Sequence, residues 1–222
     1  MNFGYAATIR TDFPELAVAA LLVEGISTDL NIAASVDRFQ EIARERLARG
    51  SESDLPEIQA WRRAFARMGL KPTLYRCASE ALLRRFRKEG ALPAIHPLVD
   101  LCNAISLAFA IPVAAIDVAM MVGRLEVRRA TGTETYQAFS GETEQPDPGE
   151  VIYADEDGNA HARRWTNRQS GRSAIRASTS TALIVAEAMH ATAREDVERL
   201  ADALADALGE TMGVCVLERR PF

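Results

Sequence analysis

The apolar positions of this chain change their period near residue 123, from a helical spacing to a strand-like spacing. In the first half, apolar side chains recur at every third or fourth position. This spacing predicts helices over residues 35–49, 53–69 and 79–88, and a continuous apolar run, Leu16–Glu24, predicts a buried strand before them. A further amphipathic helix is predicted over residues 193–208.

Short alternating segments, separated by turn residues, predict strands in the second half. They are Leu125–Ala130, Thr135–Phe139, Val151–Ala154, Ala160–Trp165, Thr181–Glu187 and Thr211–Glu218. A polar loop is predicted over residues 166–178. Because helices crowd the first half, strands crowd the second, and no long linker divides them, we expect one α+β domain over residues 1–222.

The stretch Leu92–Asp117 joins the two halves. Two prolines precede an apolar helix within it, and Pro112 ends that helix. Asp100 and Asn103 lie three residues apart in the helix, and Asp117 closes the apolar segment that follows. A polar group buried without a partner costs roughly 2–7 kcal/mol. These residues are therefore either part of a site or caps that tie loops together.

Composition is that of an ordinary globular protein, with 26% charged and 48% hydrophobic residues. No signal peptide is recognised, and no window approaches about 18 uninterrupted apolar residues. We therefore expect a cytoplasmic protein with no membrane partner. The cysteines and histidines lack CxxC, HExxH and zinc-site spacing, and no phosphate-binding glycine pattern occurs, so we expect no metal and no organic cofactor.

Two segments are strongly basic although the formal net charge is −5. Residues 60–90 carry a balance of +7, and residues 161–176 carry five arginines and no acid. Such blocks indicate either a local anionic partner or solvated helix faces. The pattern alone leaves both open.

Other chemical motifs are weak. The sequence DEDG at Asp155–Gly158 lacks the twelve-residue loop of an EF-hand, so we interpret it as a hairpin turn. Ser170 lacks the glycines of a nucleophile elbow. Glu187 fits either a pocket residue or a plain strand terminus. What remains is a set of polar residues at the ends of apolar elements: Asp100, Asn103, Asp117, Gln169, Ser170 and Glu187.

Eight segments in order carry a family resemblance. They are WRRAF from Trp61, EALLRRF from Glu80, LPAIHPLVDLCNAISL from Leu92, IPVAAID from Ile111, LEVRRATG from Leu125, PGEVIYADEDG from Pro148, RRWTNRQSGRS from Arg163 and TALIVAEAM from Thr181. Together they resemble the B3/B4-type tRNA-editing domain, which occurs in the β subunit of bacterial phenylalanyl-tRNA synthetase and in free-standing proteins. The order and spacing are similar to those of the free-standing group.

The resemblance implies helices packed on a mixed, partly barrel-like β-sheet core. The family-like core would span about residues 60–189, with an N-terminal strand and helix in 14–50 and a C-terminal helix and strand in 193–218. It also implies hydrolysis, in trans, of the ester between a wrong amino acid and its tRNA. Canavanine and tyrosine are candidate amino acids, and the substrate is not fixed by the sequence.

The resemblance also implies roles for individual residues. Glu187 matches a glutamate that recognises the polar end of the wrong side chain, and it would pair best with a guanidinium-like fork. Asp100 or Asp117 would anchor the α-ammonium group, and Trp165 would contact the substrate. Hydrogen-bond donors for hydrolysis would come from Asn103, Gln169 and Ser170. The tRNA backbone would contact Arg62, Arg63, Arg84, Arg85, Arg87, Arg163, Arg164, Arg168 and Arg172.

The sequence departs from the family pattern at two positions and in one segment. Ala114 replaces the histidine of the synthetase domain, residues 165–172 replace its glycine-rich loop, and Cys102 stands where free-standing members commonly have tyrosine. The alternative function is therefore a non-catalytic module that binds tRNA or an amino acid. We expect no DNA partner, and the oligomeric state stays open.

Overall fold

The structure is a computed structural model that describes residues 2–210 and 214–221. In these residues six α-helices and two β-sheets form a single α+β domain, so the predicted fold class is confirmed. The helices are α1 (Ala7–Asp12), α2 (Ala33–Ala48), α3 (Pro56–Arg67), α4 (Ala78–Glu89), α5 (Pro97–Phe109) and α6 (Ala193–Gly209). Short 3₁₀ helices lie at Glu52–Asp54 and Val118–Met120.

The strands alternate with the helices early in the chain and dominate after residue 112. They are β1 (Phe3–Tyr5), β2 (Ala17–Glu24), β3 (Val113–Asp117), β4 (Leu125–Arg129), β5 (Thr135–Gln137), β6 (Thr143–Glu144), β7 (Val151–Ala154), β8 (Asn159–Arg163), β9 (Arg168–Gln169), β10 (Thr181–Ala188) and β11 (Cys215–Pro221).

The larger sheet has the strand order β1-β4-β7-β8-β5-β6, and β9 pairs with β8. The smaller sheet has the order β11-β2-β10-β3 and is antiparallel throughout. Neither sheet closes into a barrel within the described residues. The core therefore consists of two open sheets and the helices that cover them.

Side-chain alternation along β10 divides the core into two parts. Ala182, Ile184 and Ala186 face a cluster formed with α2, α5 and α6. Leu183 and Val185 face the opposite cluster, which contains residues of α1, α3, α4 and the larger sheet. The smaller sheet is therefore covered on both faces, and odd-numbered residues of β10 point between the two sheets.

The helix α5 begins and ends as the sequence predicts. His96 accepts a hydrogen bond from the backbone N–H of Leu98 through its ring Nδ1 (3.2 Å), and Pro97 occupies the first helical position. The helix ends at Ala110, whose φ of 56° is left-handed, before Pro112. The chain then enters β3 directly, which brings this segment beside β10.

Every other predicted helix and strand is observed with ends shifted by a few residues. The N-terminal elements β1 and α1 were not predicted, because three and six residues are too few to show a period. The segment predicted as a loop over 166–178 contains the short β9. Residues 211–213 of the last predicted strand lie outside the described residues, and the observed strand begins at Cys215.

Candidate functional site

A cleft lies between the two sheets, and it encloses about 70 Å³, enough for several water molecules. Its walls come from β3, β7, β8 and β10, from the first residue of α4, and from the segment that follows β8. The polar residues that line it are Tyr153, His161, Thr166, Asn167, Arg168, Gln169 and Glu187. Residues from distant parts of the chain thus converge on one cleft.

Glu187 lies deep in this cleft, with only 2% of its surface exposed. Its Oε1 accepts hydrogen bonds from the Tyr5 hydroxyl (2.6 Å) and the Trp165 indole N–H (2.7 Å). Its Oε2 accepts a short hydrogen bond from the Tyr153 hydroxyl. Burial raises the pKa of Glu187, and the three hydrogen bonds oppose that rise. All three groups that donate to the carboxylate are neutral.

The position of Glu187 follows from the alternation of β10. As an odd-numbered residue it points away from α5 and α6 and toward the larger sheet. Its backbone carbonyl accepts a hydrogen bond from the Trp61 indole of α3 (3.2 Å). Glu187 is thus a pocket residue in this structure, buried inside its strand.

Trp165 reaches Glu187 because the chain turns sharply after β8. Arg164 and Trp165 have φ values of 47° and 59°, in the left-handed region that residues other than glycine seldom adopt. The indole ring packs edge-on against Trp61, with 5.2 Å between ring centroids, and against Phe13, at 4.9 Å. Strained backbone of this kind persists only where surrounding contacts hold it, and it occurs often at ligand sites.

A buried chain of hydrogen bonds supports the cleft wall at His161. The ring Nε2 lies 3.2 Å from Oδ2 of Asp155, and Nδ1 lies 2.8 Å from Oγ of Ser173. Burial lowers the pKa of His161, although Asp155 opposes the shift. A neutral ring donates to the Asp155 carboxylate and accepts from the serine, so both ring nitrogens are occupied.

The DEDG segment forms the turn between β7 and β8, so its interpretation as a hairpin turn is confirmed. Asp155 accepts hydrogen bonds from the backbone N–H groups of Asp157 and Asn159. Burial alone would raise the pKa of Asp155, but the hydrogen bonds from Asn159 and His161 outweigh it and lower the pKa.

Four of the residues proposed from the sequence line the cleft: Trp165, Arg168, Gln169 and Glu187. The side-chain amide of Gln169 donates to the backbone carbonyl of Ala115 (2.7 Å). Ser170 is fully buried beside them, and its hydroxyl donates to the carbonyl of Gln137 (2.8 Å).

The three residues of the central stretch lie elsewhere. Asp100 and Asn103 line a different groove, between α2 and the N-terminal part of α5, and Asp100 accepts from the backbone N–H of Ile95 (2.9 Å). Asp117 is buried and accepts from the Thr179 hydroxyl (2.7 Å) and the backbone N–H of Ala119 (3.0 Å). The structure thus does not bring these three residues into the cleft with Glu187.

Most of the arginines proposed to contact tRNA have acidic partners. Arg62 pairs with Glu80, Arg84 and Arg87 with Glu52, Arg85 with Glu89, Arg163 with Glu144 and Glu150, and Arg168 with Glu144. Arg164 stacks over the Tyr75 ring at 4.8 Å. Arg63 is exposed, and no acidic partner for it occurs in the described residues. The two basic blocks are therefore partly neutralised within the fold.

Sequence reasoning missed several residues that line the cleft or donate to Glu187. Tyr5 lies on the unpredicted β1, and Tyr153 and His161 lie on predicted strands but carried no motif. Alternation along Val151–Ala154 could have shown that Tyr153 shares a face with Val151. No local pattern could have shown that it meets Glu187, 34 residues away.

The part of the chain that the structure describes has neither a cluster of metal-ligating side chains nor a helix fit to span a membrane. Among residues 2–210 and 214–221, no group of three or more His, Cys, Asp or Glu side chains is arranged to hold a metal ion. In the same part of the chain, no helix combines the length and apolar character that a membrane span requires.

The fold that contains this cleft is similar to that of a protein of known structure. An N-terminal fragment of the phenylalanyl-tRNA synthetase β subunit from Pyrococcus horikoshii has a similar structure, with a TM-score of 0.51 and 12% sequence identity. The similarity covers 96% of this chain and 50% of that fragment, so this chain spans half of its length. No curated protein matches the sequence. The model of the B3/4 domain family matches residues 60–203, more than half of the chain, and the protein therefore belongs to the B3/4 domain family.

Proposed function

We propose that this protein is a trans-editing deacylase, which hydrolyses the ester bond of mischarged aminoacyl-tRNA. Family membership and the fold of the synthetase fragment support a role connected with tRNA. The observation that carries the proposal is the buried Glu187 carboxylate, which lines a cleft and is held by three donors. Such an enzyme would act in the cytoplasm, where aminoacyl-tRNA is used.

The hydrogen bonds of Glu187 indicate which amino-acid side chain fits. A carboxylate offers about four lone-pair sites, two on each oxygen. Tyr5 and Trp165 use both sites on Oε1, and Tyr153 uses one on Oε2. One site remains, which suits a side chain that donates a single hydrogen bond, such as a hydroxyl, better than a bidentate guanidinium. An apolar side chain would leave that site unpaired and be disfavoured.

Hydrolysis of an aminoacyl ester needs little activation. A water oxygen bonds to the carbonyl carbon, the ester C–O bond breaks, and the ribose oxygen leaves with a proton. Gln169 could stabilise the oxyanion, because its amide keeps a second N–H after donating to Ala115. Asn103 and Ser170 stay candidates of lower rank, since they do not line this cleft.

The proposal is tested with a panel of tRNAs charged with correct and incorrect amino acids, including tyrosine and canavanine. The wild-type protein should accelerate release of at least one mischarged amino acid without added metal or cofactor. Release of correctly charged amino acids should stay at the spontaneous rate. If no ester in the panel is hydrolysed faster than in buffer, the deacylase proposal fails.

The second candidate is a non-catalytic module that binds tRNA or an amino acid. One observation favours it: Ala114 lines the cleft where the synthetase domain has histidine, and both nitrogens of His161 are already bonded. The same panel separates the two functions. Saturable binding of tRNA or an amino acid without faster deacylation would support the module.

A further inference from the structure

Thr166 carries a buried polar atom that the fold itself does not use. The residue lines the cleft directly after Trp165, and its side-chain Oγ1 is buried. Within the described residues this oxygen has no hydrogen-bond partner. Its backbone carbonyl, in contrast, is satisfied by the N–H of Ala78 (2.8 Å).

The polar neighbours of Thr166 in this segment are paired. The Asn167 amide donates to the carbonyl of Arg76 (2.7 Å), Gln169 donates to Ala115, and Trp165 donates to Glu187. A buried hydroxyl without a partner destabilises a fold, and valine would fill the same space without that cost. The Thr166 hydroxyl can therefore be satisfied only by a hydrogen-bond partner that does not belong to the described chain.

The backbone at this point is also strained, because two consecutive residues before Thr166 have left-handed φ values. Such a turn is maintained by the packing of Trp165 against Trp61 and Phe13. The turn at Arg164 and Trp165 holds the next residue, Thr166, in the cleft wall. The indole N–H of Trp165 binds Glu187. A small polar group therefore lines the same cleft as the buried acid.

We propose that Thr166 is a substrate-binding residue, whose hydroxyl forms a hydrogen bond with a polar atom of the aminoacyl group bound in the cleft. This inference rests on the proposed deacylase function. A hydroxyl can donate to the ester carbonyl or accept from the ammonium group. Glu187 then binds the end of the amino-acid side chain, and Thr166 binds a second polar atom, so the pair fixes the orientation of the ester.

The test uses two matched variants of the full chain. Thr166→Val keeps the branched shape and removes the hydroxyl, whereas Thr166→Ser keeps the hydroxyl and removes a methyl group. We expect Thr166→Val to lower kcat/KM for the preferred mischarged tRNA roughly tenfold, and Thr166→Ser to stay within about threefold of wild type. Binding of amide-linked tyrosyl- and canavanyl-adenosine should weaken in parallel. The melting temperature of Thr166→Val should stay equal or rise, because an unpaired buried hydroxyl is removed.

Each other outcome overturns a defined part of the argument. If wild type is active and Thr166→Val matches it in rate and analogue binding, the inference fails while the deacylase function stands. If Thr166→Val loses activity and its melting temperature falls, the hydroxyl has a structural role and the inference fails. If wild type neither hydrolyses any ester nor binds either analogue, the proposed function fails and takes this inference with it.

Discussion

At the scale of single residues, Glu187 is set apart by the neutrality of its partners. Tyr5, Tyr153 and Trp165 surround it, and no arginine or lysine side chain forms an ion pair with it in the described residues. Burial raises the pKa of both tyrosines well above their usual value, so they remain protonated donors at neutral pH. The carboxylate is thus stabilised chiefly by hydrogen bonds from neutral donors, with a smaller contribution from the charge of Arg10, and these donors leave one lone-pair site of the carboxylate unused.

Replacing Glu187 tests its role in side-chain choice. Glu187→Gln keeps one acceptor oxygen and nearly the same shape, so the fold should persist, while deacylation of the preferred substrate should lose roughly 1–3 kcal/mol of transition-state stabilisation. Glu187→Ala should slow the reaction similarly and shift preference toward apolar side chains. Relative kcat/KM values over the tRNA panel measure both effects. If both variants kept the full rate and the same selectivity, Glu187 would not be the residue that recognises the substrate side chain.

At the scale of elements, the turn between β4 and β5 is held by one carboxylate. Glu134 is 2% exposed and accepts hydrogen bonds from the backbone N–H groups of Thr131 and Gly132 and from the Arg128 guanidinium. Burial alone would raise the pKa of Glu134, but these hydrogen bonds outweigh burial and lower it to about 2. A single side chain thereby pairs the donors of a tight turn.

This turn predicts a pH dependence of stability. Because the folded-state pKa of Glu134 is depressed, its contribution is present above the unfolded value near 4.5 and is lost as the pH falls toward about 2. Glu134→Gln should lower the free energy of unfolding by about 1–3 kcal/mol at pH 7, and the difference should shrink below pH 4. Urea unfolding across this range measures it, with the exposed Glu142→Gln as control. A deficit that does not change with pH would contradict the assignment.

At the scale of the whole molecule, the arginines differ in how far they are buried and in whether they have an acidic partner. Arg163 is 5% exposed and paired with Glu144 and Glu150, whereas Arg63 is exposed and lacks an acidic partner in the described residues. A buried charge that loses its partner costs several kcal/mol, while a free surface charge costs almost nothing to remove. We therefore expect Arg163 to stabilise the fold and propose Arg63 as a contact to the tRNA backbone.

Two variants separate these roles. Arg63→Glu should leave the melting temperature unchanged, weaken binding to all tRNAs about equally and reduce the slope of binding against salt by about one unit. Arg163→Gln should instead lower the free energy of unfolding by about 3–5 kcal/mol, because Glu150 stays buried. Binding titrations at several salt concentrations and thermal unfolding measure the two effects. Unchanged tRNA affinity in Arg63→Glu would show that this residue is only solvated.

The sequence alone determined the local elements. Helical spacing marked α2 to α6, and alternation marked most strands, because a helix or strand buries one face and so repeats with its own period. It also singled out Glu187, since an acid at the end of an apolar strand stands out against its neighbours. The helix stop at Pro112 follows from the backbone preference of proline.

Only the tertiary structure decided what meets across the cleft. The donors to Glu187 come from positions 182, 34 and 22 residues away, on elements whose packing no local period reveals. The same limit explains Asp100 and Asn103: their spacing placed them on one helix face, but the docking of α5 against α2 turned that face toward another groove. The sequence also could not show which acids pair with the arginines, because most of those pairs join different parts of the chain. The period of the apolar residues shows which face of a helix or strand is buried. Only three-dimensional packing shows which other element covers that face.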